Sequence, residues 1–151
     1  MTLCAQGRLP LFEDQRLRAL VESVWSNLPR RFPSVAIDAF VVMPNHVHFI
    51  VNLLAPQAGA SPAPTLGRVV GAFKSLVAFE WLKMMKQNRP NDSAAVWQRG
   101  FYERIIRSET ELHRIQEYIA NNPLNWQYDR ENPARSPDAE YERVWSWIEQ
   151  S

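Results

Sequence analysis

His46 and His48 are the residues whose type and spacing most invite chemistry, set in the run Val41-Val42-Met43-Pro44-Asn45-His46-Val47-His48-Phe49-Ile50-Val51. Side chains alternate between the faces of a strand, so both imidazoles leave one face while Val47, Phe49 and Val51 point the other way, toward a core. Two imidazoles side by side can hold a divalent cation if a third ligand arrives from elsewhere, with positions left open for substrate or water. The same spacing also describes two incidental histidines on the polar side of a half-buried strand. The rest of the chain has to decide between them.

The elements that must position this pair can be read in order. Pro44-Asn45 is turn chemistry, with φ preset at the proline and the left-handed region tolerated at the asparagine, so Ile37 to Met43 and His46 to Val51 read as a hairpin. Before it, Met1 to Ala5 is a short apolar start, a candidate remnant of a strand. Leu17, Leu20, Val21, Val24, Trp25 and Leu28 recur at helical spacing, which predicts an amphipathic helix over Glu13 to Leu28, ended by Pro29 to Ser34. Residues 55–64, rich in proline and small side chains, read as a flexible loop. Thr65 has the character of an N-cap, and Leu66 through Met84 predict a second amphipathic helix ending near Lys86. Its polar side carries Arg68, Lys74, Lys83 and Lys86, either a solvated face or phosphate contacts. Asn88 to Ala95 is a second polar loop.

Val96 to Arg107 reads as a strand from its aromatic and β-branched content. It mixes Trp97, Phe101 and Tyr102 with Arg99, Arg104 and Arg107. That is the composition of a single-stranded nucleic-acid platform, and equally of a strand with a core face and a charged edge. Ser108-Glu109-Thr110-Glu111 has capping-box form and announces a helix. On it Leu112, Ile115 and Ile119 share the buried stripe, while Tyr118 and Asn122 sit at its margin, one turn apart. Pro123 stops the helix near Asn122. A polar segment follows, and residues 134–151 form a tail with a short last helix at about Glu140 to Gln150 that buries Tyr141, Val144, Trp145 and Ile148.

The whole chain of 151 residues, 46% of them hydrophobic, reads as a single domain. No apolar run approaches a membrane span and no leader is visible, which points to the cytoplasm. Cys4 is alone, which excludes an internal disulfide. A formal charge of +1 means that any anionic partner must be held by a local patch.

Three pieces together, Met43-Pro44-Asn45-His46-Val47-His48, Trp97-Gln98-Arg99-Gly100-Phe101-Tyr102 and Tyr118-Ile119-Ala120-Asn121-Asn122-Pro123, resemble the single-tyrosine HUH transposases related to IS200, especially the REP-associated tyrosine transposases of bacteria. The resemblance runs from about Thr2 to Pro133. It implies an α+β fold, an antiparallel sheet with helices packed on it, similar to the ferredoxin and RRM arrangement. It implies metal ligation by His46, His48 and Asn122, a nucleophilic Tyr118, and Mg2+ or Mn2+ as the cofactor, whereas ligand softness alone favours Zn or Mn. The implied activity is cleavage of single-stranded DNA beside a hairpin and strand joining through a 5′-phosphotyrosine intermediate. The implied substrates are dispersed palindromic repeats, and the place of action is the nucleoid. Arg99, Tyr102, Arg104, Arg107, Lys74 and Arg114 are the candidate DNA contacts, and monomer and homodimer both stay open.

These residue types make chemical sense. A phosphodiester needs its developing charge neutralised, and a cation on two imidazoles and an amide oxygen can do that. A phenol is a workable nucleophile when assisted and a good leaving group later, so the bond energy is stored for resealing. Two other classes remain: a hairpin-binding protein without catalysis, and a small metallohydrolase using water. The scarcity of acidic residues near the histidines in sequence speaks against a two-metal hydrolase.

Overall fold

The computed structural model describes residues 1–55, 64–88 and 95–150, leaving aside the side chains of 87–88, 144–145 and 147–150. The expected loop over 55–64 and the polar loop over 88–95 therefore lie largely outside the described residues, as does the expected burial of Val144, Trp145 and Ile148.

Three strands form the sheet: β1 (Thr2–Cys4), β2 (Val35–Val42) and β3 (His46–Leu53), in the order β1-β3-β2 with every pairing antiparallel. The hairpin stands where the sequence puts it, closed by Met43 N–H donating to the His46 carbonyl at 2.8 Å. β3 is central, so its alternating side chains feed two cores. Val47 and Phe49 enter one under α1 (Gln15–Arg31) and α2 (Leu66–Asn88), where Trp25 stacks on Phe40 at 4.7 Å and meets Phe49 and Phe73. Ile50 enters the other, against Ile115 and Ile119 of α3 (Glu109–Asn121). His46 and His48 share the Ile50 face, beneath α3 rather than in water. A bulge in β2 between Ile37 and Phe40 gives the strand an extra residue opposite β3. There Asp38 accepts two hydrogen bonds from the Gln116 amide of α3, at 2.9 and 3.1 Å, and ties that helix to the sheet.

The ends of the helices follow local chemistry. Asp14 caps α1 by accepting from Arg16 N–H at 2.9 Å, after a short 3-10 turn at Leu11–Glu13. Pro29 does not end α1 as expected; it sits inside, and the helix closes with Phe32 N–H on the Leu28 carbonyl. A proline in the last turn removes one backbone donor, a loss that the burial of Trp25 and Leu28 beside it outweighs. Thr65 Oγ1 accepts from Arg68 N–H, the expected cap of α2. Ser108 Oγ accepts from Glu111 N–H, the expected cap of α3.

Val96 to Arg107 is not the continuous strand that its composition suggested. It makes two isolated bridges, Tyr102 with Thr2 of β1 and Trp97 with Ala5 just after β1, and between them Gly100 takes φ +79° and bends the chain. That left-handed position suits glycine, and composition could not reveal the break. Beyond α3 a 3-10 helix runs from Asn122 to Tyr128, with Pro123 at its start, and α4 (Ala139–Gln150) closes the chain. Among the described residues no helix is long and apolar enough to cross a membrane.

Candidate active site

The hairpin tip fixes the first half of the site. Both imidazoles are buried, His46 with 0% and His48 with 3% of its surface exposed, which removes the reading of incidental surface histidines. Their Nε2 atoms face each other at 2.9 Å. The outer nitrogens are held: His46 Nδ1 lies 2.8 Å from Asn45 Oδ1, and His48 Nδ1 lies 2.9 Å from Thr2 Oγ1. Asn45 spends its Nδ2 on the carbonyls of Arg8 and Glu131, which orients the amide. Its oxygen can only accept, so His46 carries its proton on Nδ1 and presents a bare Nε2 lone pair. A His48 that donates from Nε2 completes the 2.9 Å contact and leaves its Nδ1 to accept from Thr2, while a bond to the Met1 backbone also holds this ring. Because the Thr2 hydroxyl rotates to donate or accept, His48 can shift its proton to Nδ1 and free Nε2 without losing that bond. Burial pushes the His46 pKa down to about 4 against the opposing pull of Asp129. Burial, and then the His46 charge, push His48 well below the ordinary histidine range. The imidazoles are held in the neutral form that binds cations.

α3 and the chain after it supply the second half. Tyr118 reaches in from the margin of the helix, its ring 5.5 Å from the His48 ring at 67°. Asn122, expected at the same margin, is fully buried; its backbone stays helical, and the chain runs on from it as a 3-10 helix with Pro123 near its start. Neither of its amide atoms meets a hydrogen-bond partner in good geometry. A buried amide left so costs about 1–3 kcal/mol, a cost that a bound ligand would remove.

Sequence reasoning missed Asp129. It is fully buried, its Oδ2 lies 3.8 Å from His46 Nε2, and ligand atoms of His46, His48 and Asp129 all fall within 4.8 Å of one another. The acidic residue absent near the histidines in sequence is thus present in space. Residues 127–138 read as a polar connector, and the signal available was one carboxylate soon after the helix-stopping proline. Two neutral imidazoles and a carboxylate form a donor set suited to a divalent cation, and the buried Asn122 amide beside Tyr118 is the candidate for a further ligand.

Tyr118 is also bound to a second phenol: its hydroxyl is 3.1 Å from that of Tyr141, which donates to Asp129 Oδ2 at 3.1 Å. Burial first, then Asp129 and Tyr141, raise the Tyr118 pKa above that of an ordinary tyrosine, so the resting phenol is protonated. The Cys4 thiol is no rival nucleophile. Burial and the adjacent Glu131 push it up to about 12.

The expected DNA contacts divide. Arg114 lines a groove of about 570 Å³ with Tyr118, Asn121, Asn125, Tyr141 and Arg143. Arg99 and Tyr102 lie on the exposed turn beyond Thr2, and Arg107 is exposed before α3. Lys74 instead donates to the Gln98 and Gly100 carbonyls at 2.7 and 3.1 Å, stapling that turn to α2. Arg104 is engaged with Glu111, whose carboxylate also accepts from Arg107 N–H.

Comparison with known proteins bears on this arrangement. A family model described as "Transposase IS200 like" matches residues 1–122. A Haemophilus influenzae protein described only as uncharacterized is 34% identical over 155 residues, 86% of this chain and 82% of its own. A second from that organism, provisionally named a REP-associated tyrosine transposase, is 27% identical over 97 residues, 64% of this chain and 52% of that protein. A solved Deinococcus radiodurans structure, provisionally described as a transposase, matches with TM-score 0.52 at 21% identity, over 80% of this chain and 85% of that one, a likeness of fold. With most of its length matched, helices packed on an antiparallel sheet and a site able to hold a metal, this chain belongs to the IS200-like transposase family, whose partner is DNA.

Proposed function

We propose that the chain, acting as one domain over residues 1–151, is a metal-dependent enzyme that nicks and rejoins single-stranded DNA beside hairpins, with Tyr118 as its nucleophile. The observation that carries this reading is the meeting, within one chain, of the Tyr118 phenol with two buried, neutral imidazoles and the Asp129 carboxylate. His46 and His48 would hold the ion, with Asn122 or Asp129 as a further ligand. A bound Mg2+ or Mn2+ would neutralise charge on the phosphate under attack. The Tyr118 oxygen forms a bond to phosphorus as the P–O3′ bond breaks; the phenol gives up its proton and the departing oxygen takes one, leaving a 3′-OH. The downstream strand stays on the enzyme as a 5′-phosphotyrosine, and resealing runs the same exchange backward. Arg114 would meet backbone phosphates in the groove beside Tyr118, while Arg99, Tyr102 and Arg107 would meet flanking nucleotides. The REP-associated name of one relative suggests palindromic repeats as substrates, met at the nucleoid.

A 3′-labelled single-stranded oligonucleotide with a palindromic hairpin and flanking bases tests this. Incubated in Mg2+ or Mn2+, the label should migrate with the protein on a denaturing gel, and Tyr118→Phe should remove that adduct while retaining binding. Binding without an adduct in the wild type would mean a hairpin-binding protein. Cleavage that survives Tyr118→Phe would mean a hydrolase using water.

A further inference from the structure

The site's last partner comes from a helix that the family match does not reach. Tyr141 lies on the first turn of α4, beyond the matched residues 1–122. That turn is fixed independently of Tyr118: Asp138 Oδ1 accepts from Tyr141 N–H at 2.8 Å and from Glu140 N–H at 3.0 Å. Glu142 pairs with Arg130 and Arg135, on the segment that also carries Asp129.

A phenol has one proton to give, and Tyr141 gives its own to Asp129 Oδ2. In the 3.1 Å contact between the hydroxyls, Tyr141 must therefore accept and Tyr118 must donate. This fixes where the Tyr118 O–H points and leaves its lone pairs for other partners, the Asn122 side chain among them; Tyr118 and Tyr141 both line the groove between α3 and α4. Tyr141 itself is buried, and its ring packs 6.2 Å from that of Tyr118. A phenylalanine would fill the same space without the orienting bond.

We infer that Tyr141 is a positioning residue, the hydroxyl through which Asp129 and α4 hold the Tyr118 phenol in its attacking orientation. This rests on the nicking reaction proposed above and adds to it a requirement for the carboxyl-terminal helix. Near-attack geometry is sensitive to small displacements of the attacking atom, so loss of the bond is felt at the chemical step rather than in binding.

Tyr141→Phe isolates the hydroxyl. With the same 3′-labelled hairpin oligonucleotide in Mn2+, the single-turnover rate of adduct formation at saturating DNA should fall on the order of 10-fold or more. The DNA concentration giving half the maximal rate should stay unchanged. A rate equal to the wild type overturns the inference, and a faster rate makes Tyr141 a brake and overturns it as well. A second readout needs no activity. In the metal-free protein without DNA, the NMR signals of the Tyr118 ring, identified by their loss in Tyr118→Phe, should broaden or double in Tyr141→Phe; an unaltered Tyr118 ring overturns the positioning role. A wild type that forms no adduct defeats the nicking reaction and this inference with it, whereas a Tyr141→Phe variant indistinguishable from an active wild type defeats this inference alone.

Discussion

At the scale of single residues, the partners of the imidazoles decide as much as the imidazoles. Asn45 fixes the His46 tautomer and Thr2 serves either tautomer of His48. Outer partners of ligating histidines typically account for 10- to 100-fold in metal affinity. Titration calorimetry with Mn2+ should show a loss of roughly that size in Asn45→Ala and in Thr2→Val, with Thr2→Ser near the wild type. Burial has a second consequence at His46, whose pKa is pushed from 6.5 to about 4. Between those values the unfolded chain binds a proton that the folded chain refuses. The contribution is therefore intact above pH 6.5 and is lost as pH falls toward 4. Thermal melts of the protein kept metal-free with a chelator should show the melting temperature dropping across that window, and less steeply in His46→Gln.

At the scale of elements, β3 supports both halves of the molecule because its period of two sends Val47 and Phe49 to one core and His46, His48 and Ile50 to the other side. The first core stiffens the strand that carries the imidazoles. Trp25 is its hub, 4% exposed and packed on Phe40, Phe49 and Phe73. Trp25→Ala should cost about 3–5 kcal/mol in urea unfolding. Because β3 borders that core, cation binding should weaken with it. On the other side, α3 was readable from its cap, its stripe and its proline stop. The segment before it was not, since aromatic and β-branched content could not reveal the turn at Gly100.

At the scale of the whole molecule, the phenol and the imidazoles meet within one chain, so the proposed reaction is expected to use the chain's own tyrosine. An equimolar mixture of Tyr118→Phe and His48→Gln chains should yield no adduct, whereas a mixture that regains activity would show the tyrosine exchanged between chains. The sequence by itself determined what depends on local geometry: a strand, bend and strand that put His46 and His48 on one face, a capped helix that sets Tyr118 one turn before Asn122, and a stop at Pro123. Each follows from a fixed period or from the backbone limits of one residue. Only the tertiary structure decided that this face is buried, that Asn122 is tucked fully inside, and that Asp129 and Tyr141 join the cluster. It also placed Lys74 against the Gln98 and Gly100 carbonyls and Arg104 against Glu111. Those outcomes depend on how α3 and the segments after it settle on the sheet, and contacts between residues so far apart in sequence leave no period in it to read.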